Sequence, residues 1–166
     1  MDFEQAVQIV LTHEGGMVDD PRDPGKATKY GISKRAFPKE DIDNMSLQRA
    51  KALYKEYYWD ACSCEDLPGF MRLIVFDCAV NQGVTRAATF LQRIGKTSID
   101  GIIGPVTIGS LTDIDPMEFL FLYQDHRFSA YASNPNWSVF GKGWLKRLHH
   151  ITYVCFVAAV TTQSMH

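Results

Sequence analysis

No stretch of this chain is long and apolar enough to cross a bilayer as a helix. The longest run, from Ile151 to Val160, is too short and is interrupted by Thr152. An excess of one charge is also missing: 17 Lys and Arg against 19 Asp and Glu leave a net charge of -2. Such a balance gives no global pull toward nucleic acid or an anionic surface, so function has to be read from local sites. The four cysteines, Cys62, Cys64, Cys78 and Cys155, form no C-x-x-C pair, and only the adjacent His149 and His150 lie near Cys155. That spacing suits neither a zinc finger nor a dithiol redox motif, and free thiols are expected. A His-Glu-x-x-His ligand set is likewise missing, so no metal or other cofactor is expected. Repeats, low-complexity tracts and flexible linkers are lacking too. The Met1-Asp2-Phe3-Glu4-Gln5 start lacks a basic, then apolar, leader pattern. Synthesis in the cytoplasm without a signal peptide is the expectation.

What is present is a chain of 166 residues, 46% apolar and 22% charged, enough for one domain or two intimate lobes around a shared core. Phe3, Ala6, Val7, Val10 and Leu11 recur at helical spacing and predict an amphipathic helix over about 3–13. Glu14 falls at its last turn, before Gly15-Gly16. The segment from Gly16 to Ile32 is rich in Gly, Pro, Asp and Lys and predicts turns with short, irregular strands.

Ser46 is placed to cap a helix through Tyr58, with Leu47, Ala50, Leu53, Tyr54 and Tyr57 inward. The run Phe70 to Val80 is apolar nearly all round and predicts a buried central helix closed at Gly83. Further helices are expected from Thr85 to Ile94, briefly after Pro105, from Pro116 to about Ala132, and from about Gly143 to Val160. The fold class is therefore α+β, mostly α, with a small β element after the first helix and a helical C-terminal lobe.

Cleaving a glycosidic bond takes one carboxylic acid to protonate the leaving oxygen and a second carboxylate to position water or attack the sugar. Burial of a carboxyl in apolar surroundings favours its neutral form, which is the form a general acid needs. Glu14, at the end of an apolar-faced helix, suits that part. Asp23 follows nine residues later and Thr28 five after that. A loop doubling back would set both across a groove from Glu14, with the Thr28 hydroxyl helping Asp23 hold a water. Taken alone, such spacing is more typical of solvated surface carboxylates.

The motifs in series say more. His13-Glu14-Gly15-Gly16-Met17, then Asp23-Pro24-Gly25-Lys26-Ala27-Thr28-Lys29-Tyr30-Gly31-Ile32, resembles the opening of glycoside hydrolase family 108. Those are phage endolysin-like and bacterial N-acetylmuramidases with the signature Glu-Gly-Gly-Tyr, then Asp-x-Gly-Gly-x-Thr-x-x-Gly-Ile. Ala50 to Tyr54, Tyr58-Trp59, Phe76-Asp77, Asn81-Gln82-Gly83, Leu91-Gln92, Asp100 to Thr107 and Gly143-Trp144-Leu145 continue the match in order. Met17 departs from the family's Tyr, and Lys26 from the second Gly of its Gly-Gly pair.

The resemblance implies a lysozyme-like fold and hydrolysis between N-acetylmuramic acid and N-acetylglucosamine, with Glu14 as the catalytic glutamate. Glu14, Asp23 and Thr28 together are similar to the acid, base and helper set of phage-type lysozymes. It also implies a catalytic segment over 1–90 and a peptidoglycan-binding segment over 91–166, packed as one unit. Bacterial peptidoglycan is the implied partner of a monomer that acts at the cell wall after release, with no nucleic acid and no stable membrane insertion.

Tyr30 and Gly31 would line the groove, or form a plain hairpin. Asn81 and Gln82, ending the central helix, would reach sugar groups or cap the helix. Asp77, within the apolar run, must be paired to survive burial, and a tie to an arginine or a loop amide is expected rather than catalysis. The Asp100 to Thr107 loop reads chiefly as turn chemistry. Trp59, Trp137 and Trp144 read chiefly as core. Lys146, Arg147, His149 and His150 read as a solvated helix face. A lytic transglycosylase and a non-catalytic wall-binding protein are the alternative functions. Asp23 speaks against the first, and the retained Glu14, Asp23 and Thr28 speak against the second.

Overall fold

A computed structural model describes residues 1–14 and 28–163. Gly15, Gly16, Met17, Asp23 and Lys26 lie outside the described residues. Seven α-helices, one π-helical segment (Lys55–Asp60) and one two-stranded sheet make up the regular structure among them: α1 Phe3–His13, β1 Thr28–Lys29, β2 Ile32–Ser33, α2 Leu47–Tyr54, α3 Gly69–Gln82, α4 Val84–Ile94, α5 Pro105–Gly109, α6 Pro116–Ala132 and α7 Trp137–Gln163. The α+β, mostly α class read from the sequence is the class observed. No helix among the described residues is long and apolar enough to cross a membrane.

Local chemistry sets the helix starts. Asp2 and Gln5 close a capping box on α1, Asp2 Oδ1 accepting from the Gln5 amide at 2.9 Å and Gln5 Oε1 from the Asp2 amide at 3.1 Å. Ser46 accepts from the Arg49 amide at the head of α2. Asp115 accepts from the Met117 and Glu118 amides at the head of α6, where Pro116 fills the first turn without wasting a donor. At the other end of α3, Gly83 adopts φ 98°, which frees the chain to turn at once into α4.

The central helix is α3. It contacts α1, α4, α6 and α7, and Leu73 through Ala79 are all buried. Surrounded on every side, it carries no polar face, which explains its near-continuous apolar sequence. Phe76 of α3 meets Phe3 of α1 and the Trp59 ring edge-on, at centroid distances of 6.0 and 5.4 Å. Such offset contacts each add about 0.5–1.5 kcal/mol beyond area burial.

Two expectations are corrected here. The second helix does not run as α-helix to Tyr58: from Lys55 to Asp60 it widens into a π-helical turn. The widened turn rotates the face, so Trp59 is fully buried while Tyr57 is half exposed, and Leu47 in the first turn is also exposed. The last helix begins at Trp137, not near Gly143. Gly141 lies inside this helix, and its missing side chain admits the Trp137 ring: a Cβ there would lie 2.8 Å from Trp137 Cδ2. Glycine is a packing choice at that point, not a stop.

Replacing Phe76 with alanine empties the ring cluster that joins α1, α3 and the π turn. Urea unfolding is expected to give a loss of about 3–5 kcal/mol.

Candidate active site

Glu14 is the residue immediately after α1, in right-handed helical conformation, with its amide bonded to the Val10 carbonyl at 3.2 Å. Its side chain is 21% exposed. Against it lies the β1–β2 hairpin, in which Thr28 pairs with Ser33 and Lys29 with Ile32. Tyr30 and Gly31 form the two-residue turn, at φ 53° and 75°. Positive φ at both positions is the type I′ turn that suits the strand twist. A Cβ at Gly31 would lie 2.8 Å from Glu14 Cβ and collide with the Tyr54 hydroxyl. Only glycine lets this backbone reach the carboxylate side chain. The Tyr54 hydroxyl also donates to the Tyr30 carbonyl at 3.0 Å, tying the turn to α2.

Tyr54 and Tyr58 stand close enough to feel the Glu14 charge. Burial first, and that carboxylate second, raise both phenols above their ordinary value. They are therefore neutral hydrogen-bonding groups at any working pH.

The partner of Glu14 comes from the far end of the chain. Arg147 of α7 donates through Nη1 to Glu14 Oε1 at 2.5 Å and through Nε to Asp77 Oδ1 at 2.8 Å. Asp77 Oδ2 takes a second guanidinium, Arg127 Nη2 of α6, at 2.6 Å. Arg127 Nε reaches Gln82 Oε1 at 3.0 Å, and Gln82 Nε2 returns to the Arg127 carbonyl at 3.1 Å. With Glu14 ionised, the chain of contacts Glu14–Arg147–Asp77–Arg127 alternates in sign and sums to zero, which makes its burial tolerable. Burial opposes the charge on Arg147, but Asp77 and then Glu14 outweigh it and hold the guanidinium above its usual range.

This network corrects the reading of Arg147 as part of a solvated face. Lys146, His149 and His150 are exposed, whereas Arg147 turns inward. The one available sequence signal was Asp77: a carboxylate inside an apolar helix demanded a cation, but its partners, 50 and 70 residues away, carry no local mark. Glu14 is thus not walled by apolar groups alone.

The remaining candidates separate. Tyr30 and Gly31 stand beside Glu14. Thr28 begins the strand leading to that turn and is exposed. Asp23 lies outside the described residues. Gln82 spends both ends of its amide on Arg127, and Asn81 Oδ1 accepts from the Tyr131 hydroxyl, so both are occupied holding α3 to α6. Tyr131 in turn stacks on Trp144 at 4.8 Å. All four cysteines are free and buried, and burial pushes the Cys78 thiol up to about 11 and Cys155 to about 12. None is a ready nucleophile.

The Glu14 carboxyl thus stands at a helix end, backed by a glycine turn and held by an anchored arginine. Residues 7–83 match the family model described as glycosyl hydrolase 108. That match supports a glycoside hydrolase acting on the cell wall. The fold is lysozyme-like. Among solved structures, that described as the structure of Brucella abortus SagA is similar at 29% identity and a TM-score of 0.83, over 93% of this chain and 94% of that one. No curated protein matches the chain.

Removing Asp77 as Asp77→Ala would leave two buried guanidiniums facing each other. A stability loss of about 3–5 kcal/mol is expected in denaturant titration. A second prediction concerns His13, whose Nε2 lies 2.7 Å from His150 Nδ1. Burial, then Arg147, lower its pKa from the ordinary 6.5. The unfolded chain therefore takes up this proton more readily, and protonation favours unfolding. Melting temperature should fall as pH drops below about 6.5, with a shallower fall in His13→Gln.

Proposed function

We propose that this chain is an endolysin-type N-acetylmuramidase. It hydrolyses the β-1,4 bond between N-acetylmuramic acid and N-acetylglucosamine in peptidoglycan. Glu14 is the general acid, and Asp23 with Thr28 positions the attacking water, so the reaction inverts the anomeric centre. The observation that carries the reading is the fixing of Glu14. Its Oε1 is held by Arg147, and Arg147 is held in turn by the buried Asp77.

A carboxyl with one oxygen pinned has one orientation, and its other oxygen is the one that hands a proton to the leaving sugar. Because Asp77 takes Arg147 Nε, the guanidinium charge is shared and not spent on Glu14 alone. The Tyr30–Gly31 turn supplies backbone groups beside the acid, suited to an N-acetyl group of the substrate. Asn81 and Gln82 support the site from the end of α3, through Tyr131 and Arg127, rather than by direct sugar contact. Residues 1–90 serve as the catalytic segment and 91–166 as the wall-binding segment, which also lends Arg147 to the site. The enzyme works as a monomer, reaching the wall after release from the cytoplasm in which it is made.

The test is clearing of isolated peptidoglycan together with new reducing ends. Loss of a positioned general acid removes about 10²–10⁴-fold in rate, so Glu14→Gln is expected to fall by at least about 100-fold with its fold intact. A Glu14→Gln chain that clears walls as fast as the natural one would end the assignment.

A further inference from the structure

Between α4 and α6 lies a second concavity, of about 660 Å³, that the site at Glu14 does not use. Three basic side chains line it: Arg86 and Arg93 from α4 and His126 from α6. Thr85 and Ser129 add hydroxyls, and no carboxylate is among the described residues around it. Neither Arg86 nor Arg93 has an ion-pair partner among the described residues, unlike Arg49, Arg72, Arg127 and Arg147. The His126 ring, which lines the cavity, is stacked on Phe90, with centroids 5.5 Å apart and planes at 15°. The first turn of α4 begins at Gly83 with no side-chain cap, leaving amide donors on the same side. Positive charge without a counter-charge, in a concave and hydroxyl-lined place, describes a site for an anion.

Spacing narrows the anion. Arg86 and Arg93 are seven residues apart on one helix, so their Cα atoms lie about 10 Å apart along its axis. An anion with two separated charges meets both guanidiniums without drawing them together. Two carboxylates on an extended peptide, two or three residues apart, lie about 7–11 Å apart. The stem peptide of peptidoglycan has this form, with a free carboxylate at its acidic second residue and another at its C-terminus. Position agrees as well. Gln82 lines the cavity and also closes the Glu14–Arg147–Asp77–Arg127 network. From Asp77 to Gln82 the helix rises only about 7.5 Å, whereas a stem of four residues reaches about 13–14 Å.

We propose that the α4–α6 cavity binds the carboxylates of the stem peptide on the glycan being cut, through Arg86, Arg93 and His126. The proposal rests on the muramidase reading for its substrate, but its binding test does not.

The free stem tetrapeptide L-Ala–D-Glu–diaminopimelate–D-Ala is titrated into the natural chain and into Arg86→Gln/Arg93→Gln, followed by calorimetry or amide NMR shifts. Binding to the natural chain is expected, weakened about tenfold or more by the double substitution, since each charge-assisted contact is worth roughly that factor. The same peptide with its second-residue and terminal carboxylates amidated is expected to lose as much against the unaltered protein, which separates recognition from any folding defect. Inorganic phosphate is expected to compete only at much higher concentration.

No binding of the tetrapeptide, equal binding by the double variant, or phosphate competing as well as the peptide would each overturn the assignment. In cleavage, the double variant should raise KM on intact strands at unchanged kcat, with no change on strands stripped of their stems. An equal loss on both substrates would also overturn it. Absence of cleavage on either substrate by the natural chain would instead remove the muramidase reading, leaving the titration to decide the site.

Discussion

One buried carboxylate organises this molecule. Asp77 sits in the middle of a helix that is apolar on all sides and is itself fully buried, a position that costs several kcal/mol unless the charge is matched. The match comes from two arginines on two other helices, Arg127 on α6 and Arg147 on α7. Meeting that requirement draws the C-terminal helices onto α3. It also leaves Arg147 with a free edge of its guanidinium directed at the end of α1, where Glu14 waits. The constraint that closes the core and the constraint that orients the candidate acid are one network.

Function follows from the same geometry. A general acid is effective when its proton is presented in one direction, and side-chain freedom works against that. Glu14 is limited from three directions: by the last turn of α1, by the Gly31 backbone pressed on its Cβ, and by Arg147 on its Oε1. The hairpin turn is itself fixed by the Tyr54 hydroxyl. The site therefore draws on α1, the hairpin, α2, α3 and α7, so the family segment over 7–83 is completed by an arginine outside it. The same α3 end that holds Gln82 opens onto the basic α4–α6 cavity.

How much of this the sequence carried depends on the range of the interaction. The α3 helix, its Gly83 stop, the Ser46 and Asp115 caps and the Pro105 and Pro116 starts were legible because each depends on residues a few positions apart. The π turn at Lys55–Asp60 was not, because it answers to the burial of Trp59 against Phe3 and Phe76, which local pattern does not encode. The start of the last helix at Trp137 was missed for a related reason: Gly141 is tolerated there because the Trp137 ring fills the space above it. At the site, Glu14 and the Tyr30–Gly31 turn stood out through a motif, and the burial of Asp77 announced that a cation was needed. Arg147 was hidden among exposed Lys146, His149 and His150, because a helix face can be told from periodicity only when its neighbours share it.

The most direct measurement is the mass of the muropeptides released when the purified chain digests peptidoglycan. Hydrolysis by a Glu14 acid and a positioned water predicts products carrying one added water and ending in reducing N-acetylmuramic acid. Products lacking that water, as 1,6-anhydro ends, or no released glycan fragments at all, would contradict the account.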